Sequence, residues 1–223
     1  WCSDRILRVI VMKIPLFYSD LFIEKNIGSI TERKELLSFI SSVESEIKNK
    51  HKPLSKEDFA SSYSSQDASS EDGCTRFNFY DDIKNFGWLC DAVDKLINDA
   101  INNYISLDAT YKIQIEKTQM RKSLTETWVN INSPESRITL HEHKANMFSF
   151  LYYVQATDTG SLILRNPSNL MVECNPQSPF VSAFSYPPED GDLILFPSWI
   201  PHEVNTNKSN IQRINIAGQI VLK

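Results

Sequence analysis

The order of patterns along this chain predicts a mainly β fold with N-terminal helices (α+β), a double-stranded β-helix or jelly roll packed against helices. Two amphipathic helical stretches stand in the first half, about eight short alternating or apolar runs follow Asp108, and no helical period returns after them. A parallel α/β sheet would interleave helices between those runs. Residues 1–107 are expected to form an N-terminal strand and helical support region, with a Ser-rich insertion at about 51–73. Residues 108–223 are expected to form the double-stranded β-helix core, the two making one integrated domain.

The first element is the run from Arg8 to Phe17, rich in β-formers and carrying Pro15 near its end, as an edge strand does. The next, TERKELLSFISSVESEIKNK, is helical: Leu36, Leu37, Ile40, Val43 and Ile47 recur at three- and four-residue spacings. Thr31 is placed to cap its first turn, and Glu32 and Glu35 lie near its positive end. From His51 to Gly73 the composition turns to Ser, Asp, Glu and Lys, too polar to offset its own ordering entropy, which reads as a mobile surface insertion. A second helix is expected from about Asp82 to Ser106. Its broad apolar face of Trp88, Leu89, Val93, Leu96, Ile97, Ile101 and Ile105 suits packing on a sheet.

The β half reads as YKIQIEKTQM, TETWVNIN, SRITLHEHK, FSFLYYVQ, GSLILR, FVSAFSYPP, GDLILFPSW and IQRINIAGQIVLK. Turn formers such as Asn132-Ser133-Pro134 and Thr157-Asp158-Thr159-Gly160 separate them.

Composition narrows the function classes. With 223 residues, 41% of them hydrophobic, the chain can bury one good core, and no apolar run approaches the roughly 20 residues that span a bilayer. A net charge of −5 without a Lys/Arg block disfavours nucleic acid as a partner. Cys2, Cys74, Cys90 and Cys174 form no C-x-x-C pair, which argues against a zinc site or a disulfide framework and fits a reducing, cytoplasmic setting. The chain opens on Trp1, which suggests a fragment and leaves a targeting segment upstream open. Oligomeric state is not legible.

Three of the four histidines fall in the β half, two of them in His141-Glu142-His143. Residues two apart on a strand share a face, so both imidazoles project together as a chelating pair while Glu142 points away. His202 sits in LILFPSWIPHEV, where an imidazole needs a partner to offset its desolvation; a backbone carbonyl or a metal would each serve. NTNKSN reads as a hairpin loop after it. With the centre between Asn207 and Lys208, His202 and Arg213 fall directly opposite, Cβ atoms about 4.5–5.5 Å apart on one face. Arg213 and Asn215 then line a cavity while Ile214 and Ile216 face the helices. An inward guanidinium calls for an anion and suits a carboxylate bidentately; a solvated charge at a strand end is the plainer alternative.

These residues resemble the 2-oxoglutarate and Fe(II)-dependent oxygenase superfamily, and more closely its small members from bacteria and phages. TWVNI, HEHKANMFSFLYYV, GSLILRNP, GDLILFPSWIPHEV and QRINIAG stand in the family's order from about Glu126 to Gly218, and IPLFYSDLF before a helix is similar to its N-terminal portion. The resemblance implies a hydroxylase-type dioxygenase that uses Fe(II) and 2-oxoglutarate and releases succinate and CO2. It implies that His141 and His202 are metal ligands, that Arg213 anchors the far carboxylate of 2-oxoglutarate, and that Tyr153 touches the same carboxylate, although such an aromatic is more often plain core. His143 is the departure: it stands where most relatives place a carboxylate, so the implied catalytic and metal set is His141, His143 and His202. Glu142 or Glu203 would replace an imidazole only if a bulge turned it inward.

Trp128, Phe150, Phe196 and Trp199 are candidates for the pocket wall. Two other readings compete: a cupin-like three-His iron dioxygenase without 2-oxoglutarate, against which stands the lack of a glutamate from Lys144 to Leu151, and a non-catalytic metal-binding β-sandwich module. The primary substrate is not legible.

Overall fold

A computed structural model describes residues 12–16, 19–50, 74–105, 124–143, 146–167 and 181–221. The insertion at 51–73 and the run YKIQIEKTQM lie outside the described residues. In chain order the elements are β1 (Met12–Leu16), β2 (Ser19–Glu24), α1 (Ile30–Lys50), β3 (Cys74–Asn78), a 3-10 turn (Asp82–Asn85), α2 (Gly87–Ile105), β4 (Leu124–Asn132), β5 (Ile138–His141), β6 (Phe148–Gln155), β7 (Leu162–Arg165), β8 (Ala183–Tyr186), β9 (Leu193–Pro197), β10 (His202–Val204) and β11 (Arg213–Ile220).

Two antiparallel sheets result. The larger runs β1-β2-β9-β6-β11-β4-β3 and the smaller β5-β10-β7-β8. From β4 onward the chain deals its strands between the two sheets, four to each, which is the jelly roll expected from the sequence. The upstream segments do more than support it: β1, β2 and β3 extend both edges of the larger sheet. Pro15 is tolerated because β1 is an edge strand.

Period-two alternation explains how one sheet serves two cores. In β11, Ile214 and Ile216 face a cluster that includes Leu36 and Ile40 of α1 and Leu89, Val93, Leu96 and Ile97 of α2. In β6, Tyr152 joins the same side, its ring edge-on to Trp88 at 5.6 Å. The next residue, Tyr153, points the other way, into a second cluster with Leu162, Leu164, Phe196, Ile200 and Val204 between the sheets. The helices thus cover the outer face of the larger sheet, leaving the space between the sheets to the polar side of β11.

One local expectation is corrected. Thr31 does not cap α1; Ser29 does. The Ser29 hydroxyl accepts from the Glu32 amide at 3.2 Å, and the Glu32 carboxylate accepts from the Ser29 amide at 2.7 Å. That reciprocal pair is the S-x-x-E capping box, present in the sequence as Ser29-Ile30-Thr31-Glu32 and overlooked there because Thr31 also has capping chemistry. The Glu32 carboxyl is held below its ordinary range by those Ser29 hydrogen bonds.

Ser29→Ala is expected to cost about 1 kcal/mol, a fall in melting temperature of roughly 2–4 °C, with Thr31→Ala close to neutral. Paired thermal melts of the two variants check the assignment.

Candidate metal and co-substrate site

His141 ends β5 and His202 opens β10, and the antiparallel register sets these two residues directly opposite each other. Their ring centroids are 4.2 Å apart. His143 lies just past the end of β5, where its amide donates to the Ser198 carbonyl at 3.0 Å and so is pinned to the β9–β10 connection. Its ring stands 5.1 Å from each of the other two. One ring nitrogen from each histidine can be chosen such that all three lie within 4.8 Å of one another, a spacing that suits a single shared cation.

The hydrogen bonds set the tautomers. Nδ1 of His141 is 2.8 Å from the Thr139 carbonyl, and Nδ1 of His202 is 2.9 Å from the Ile200 carbonyl. A carbonyl only accepts, so each Nδ1 carries the proton and each Nε2 keeps its lone pair for a metal. Protonation is also suppressed. Burial lowers His141, with the Arg76 charge adding to it; burial, then His141 and Arg76, bring His143 down to about 4; and burial with the neighbouring rings puts His202 well below its ordinary value. Three neutral imidazoles presenting lone pairs are a fitting donor set for a divalent transition metal.

The expected hairpin between His202 and Arg213 is not there. After β10 the chain leaves the smaller sheet: β10 pairs with β5 and β7, and β11 pairs with β4 and β6. NTNKSN is a crossover between sheets, so His202 faces His141 and Arg213 faces Asn132. A six-residue polar connection looks alike in both cases, which is why the local pattern misled.

Arg213 nevertheless reaches inward. It is fully buried, and Nη1 donates to the Thr159 carbonyl at 3.0 Å and the Asn205 carbonyl at 3.5 Å. Asn205 follows β10 by one residue, so the guanidinium sits at the end of that strand opposite to His202, about 10 Å along it. Gly160 makes room: its φ is +100°, and a Cβ there would come within 2.9 Å of the Asn205 carbonyl and 3.4 Å of Arg213 Nη1. Tyr153 is buried beside this group, its hydroxyl without a hydrogen-bond partner among the described residues. Burial raises the Tyr153 phenol and the Arg213 charge opposes the rise, so it stays protonated as a donor.

A cavity of about 110 Å³ opens over the histidines. Trp128, Phe150 and Phe196 line it as expected from the sequence; Trp199 does not and is 43% exposed. Arg213 and Tyr153 are not among its lining residues, but Tyr153 packs in one cluster with Ile138, Leu162, Phe196 and Val204, which are. Glu142 is exposed and Glu203 is bound by Arg165 Nε at 2.8 Å, so neither is turned toward the imidazoles. Arg76 and Asn130, not among the residues expected at the site, line the cavity with Asn215. The signal for them was the alternation of β3 and β4 against β11.

The family model described as "Putative 2OG-Fe(II) oxygenase" matches residues 126–218, the span from β4 through the three histidines to β11. No curated protein sequence matches the chain. Among solved structures, the chain is similar to a Trichoplax adhaerens prolyl hydroxylase in complex with a hypoxia inducible factor peptide fragment, at TM-score 0.57 and 15% identity over 90% of this chain and 83% of that one. It is similar to HygX from Streptomyces hygroscopicus with nickel and 2-oxoglutarate bound, at TM-score 0.54 and 12% identity over 91% and 82%. A Pseudomonas putida prolyl-4-hydroxylase aligns at TM-score 0.51 and 13% identity over 90% and 92%. Against two other oxygenase structures the match spans under half of those chains, 45% and 48%. Among the described residues no helix is long and apolar enough to cross a membrane.

The lowered imidazoles predict a pH effect on the metal-free protein. In the unfolded chain histidine titrates near 6.5, and in the folded chain His143 waits until about 4. Stability is therefore held above about pH 6.5 and lost as pH falls toward 4, because the unfolded chain takes up protons that the folded chain refuses. Urea midpoints measured across that window in the presence of a chelator are expected to fall, and to fall less in His143→Gln. With three imidazoles brought together at the smaller sheet and a buried guanidinium on the larger, the stretch from β4 to β11 that carries them is the one that matches the 2OG-Fe(II) oxygenase family model.

Proposed function

We propose that the chain is a 2-oxoglutarate- and Fe(II)-dependent dioxygenase of the hydroxylase type. The observation that carries this is the convergence of His141, His143 and His202 on one cavity, with Nε2 of His141 and of His202 free of protons. The family match and the metal-bound and 2-oxoglutarate-bound relative favour the same reading.

In this reading the three histidines hold Fe(II). Arg213 takes the far carboxylate of 2-oxoglutarate through its planar fork, and the Tyr153 hydroxyl donates to the same carboxylate. The backbone carbonyls of Thr159 and Asn205 fix the fork by holding Nη1. Thr139 and Ile200 keep the rings of His141 and His202 in one tautomer and one orientation. Trp128, Phe150 and Phe196 wall the cavity with apolar surface and limit water at the reacting centre. When bound, iron and 2-oxoglutarate supply the oxidation: dioxygen is consumed, the keto acid becomes succinate and CO2, and one oxygen atom enters a C–H bond of the primary substrate. His143, standing for the usual carboxylate, leaves the metal centre one positive charge richer.

Purified protein given Fe(II), ascorbate and 2-oxoglutarate is expected to form succinate even without a primary substrate. His202→Ala should lose tight Mn(II) binding. Arg213→Ala should weaken 2-oxoglutarate by about a hundredfold or more while keeping Mn(II), and Tyr153→Phe by roughly tenfold or less. Iron bound without any affinity for 2-oxoglutarate would instead favour the three-His dioxygenase of the cupin kind. Absence of metal binding would leave only a recognition module.

A further inference from the structure

The face of the larger sheet that carries Arg213 holds one more polar side chain whose atoms the fold leaves unused. β4 alternates as β11 does: Val129 and Ile131 join the cluster beneath the helices, whereas Trp128 and Asn130 border the histidine cavity. Period two puts Asn132 on the inner face with them, about 7 Å beyond Asn130 along the strand. The register of β4 with β11 sets Asn132 directly opposite Arg213, so the two side chains stand side by side. On the other flank of β11, β6 sets Tyr153 opposite Asn215. The strand order β6-β11-β4 therefore places Arg213 between a phenol and a carboxamide.

The two asparagines at the inner face of β4 have opposite fates. Asn130 is satisfied: Oδ1 accepts from Arg76 Nε at 2.6 Å, and Nδ2 donates to Asn215 Oδ1 at 2.8 Å. Asn132 is wholly buried, and neither Nδ2 nor Oδ1 has a hydrogen-bond partner among the described residues. Its backbone carbonyl accepts from Asn207 Nδ2 at 3.3 Å, which fixes the strand end and leaves the carboxamide untouched. The Tyr153 hydroxyl is buried without a partner in the same way. Buried donors and acceptors are ordinarily paired, because an unpaired one forfeits its hydration and gains nothing in return. A leucine would fill the Asn132 site without that cost, so packing does not account for a carboxamide there.

We infer that Asn132 is a third binding residue for the co-substrate: Nδ2 donates to the carboxylate held by Arg213 and Tyr153 and closes the grip from the β4 side. This rests on the dioxygenase reading above and extends it to a further strand. A carboxylate offers about four acceptor positions, enough for a guanidinium, a phenol and an amide together. Oδ1 of Asn132 can only accept, so it turns toward the guanidinium and steadies it, as the Thr159 and Asn205 carbonyls do at Nη1. Donors on three adjacent strands fix where the far carboxylate lies, and so which length of diacid reaches the metal.

The test is calorimetry on the whole protein loaded with Mn(II), with 2-oxoglutarate and oxalate as probes. Oxalate chelates a metal through the same two-oxygen end and is too short to reach Arg213, so it reports the metal site alone. Asn132→Leu is expected to weaken 2-oxoglutarate by about tenfold, while Mn(II) and oxalate affinities stay within about twofold. The melting temperature of the ligand-free variant is expected to hold or rise, since the unpaired buried atoms are gone. Asn132→Asp keeps the shape but replaces the donor by a second anion, and is expected to weaken 2-oxoglutarate by about a hundredfold while again sparing oxalate.

The inference is overturned if either variant binds 2-oxoglutarate as the wild type does, which would leave the carboxamide to a trapped water. It is also overturned if oxalate weakens in step with 2-oxoglutarate, which would make Asn132 a support of the fold or of the metal site. Should Asn132→Leu fail to fold, the isosteric Asn132→Asp decides by the same pair of affinities. A wild-type protein that binds Mn(II) and oxalate but not 2-oxoglutarate refutes the dioxygenase reading itself, before any variant is made.

Discussion

The pairing of β5 with β10 is the contact on which the rest of the site depends. It sets His141 opposite His202 at 4.2 Å between ring centroids, in strands of only four and three residues. Strands this short have little ladder to hold their own register. They are held by β7 on the far side of β10, and by the apolar side chains of Ile138, Leu162, Leu164 and Val204, which point into the core between the sheets. A slip of one residue would turn His202 outward and Glu203 inward, exchanging a neutral imidazole for a carboxylate. The ion pair of Glu203 with Arg165 on the outer side acts against that slip.

Much of this was legible in the sequence, and the part that was not has a physical reason. Short alternating runs after upstream helices determine a jelly roll, since each run has one apolar face and two sheets must share the core. The polar-inward, apolar-outward alternation of β11 was readable from Arg213, Ile214, Asn215 and Ile216 alone, and Asn215 lines the cavity while Ile214 and Ile216 meet the helices. The partner of each strand was not readable. NTNKSN permits a hairpin as well as a crossover, and the choice between them is made by long-range pairing with β4 and β6, to which a local pattern is blind. Arg76 was missed for a related reason. It stands upstream of the β half, on a strand that matters only because it adds to the edge beside β4.

Burying arginines in a small protein is costly. Taking a guanidinium out of water costs several kcal/mol unless charge or hydrogen bonds offset it. Arg213 is met partly by two carbonyls, and Arg76 is oriented by an amide. Burial keeps the three histidines unprotonated, with the Arg76 charge adding to it at His141 and His143.

The two chemistries are divided between the two sheets. His141 and His202 belong to the smaller sheet, with His143 just beyond its β5, whereas Arg76, Asn130, Tyr153, Arg213 and Asn215 all belong to the larger one. The imidazoles and the polar groups of the larger sheet therefore meet only when the sheets are packed at their proper spacing. The distance between them is set by the apolar cluster of Tyr153, Leu162, Leu164, Phe196 and Val204 and not by any bond between a histidine and an arginine. That makes the inter-sheet core, which contains no chemistry of its own, the element whose loosening would separate the three imidazoles from the polar groups of the larger sheet.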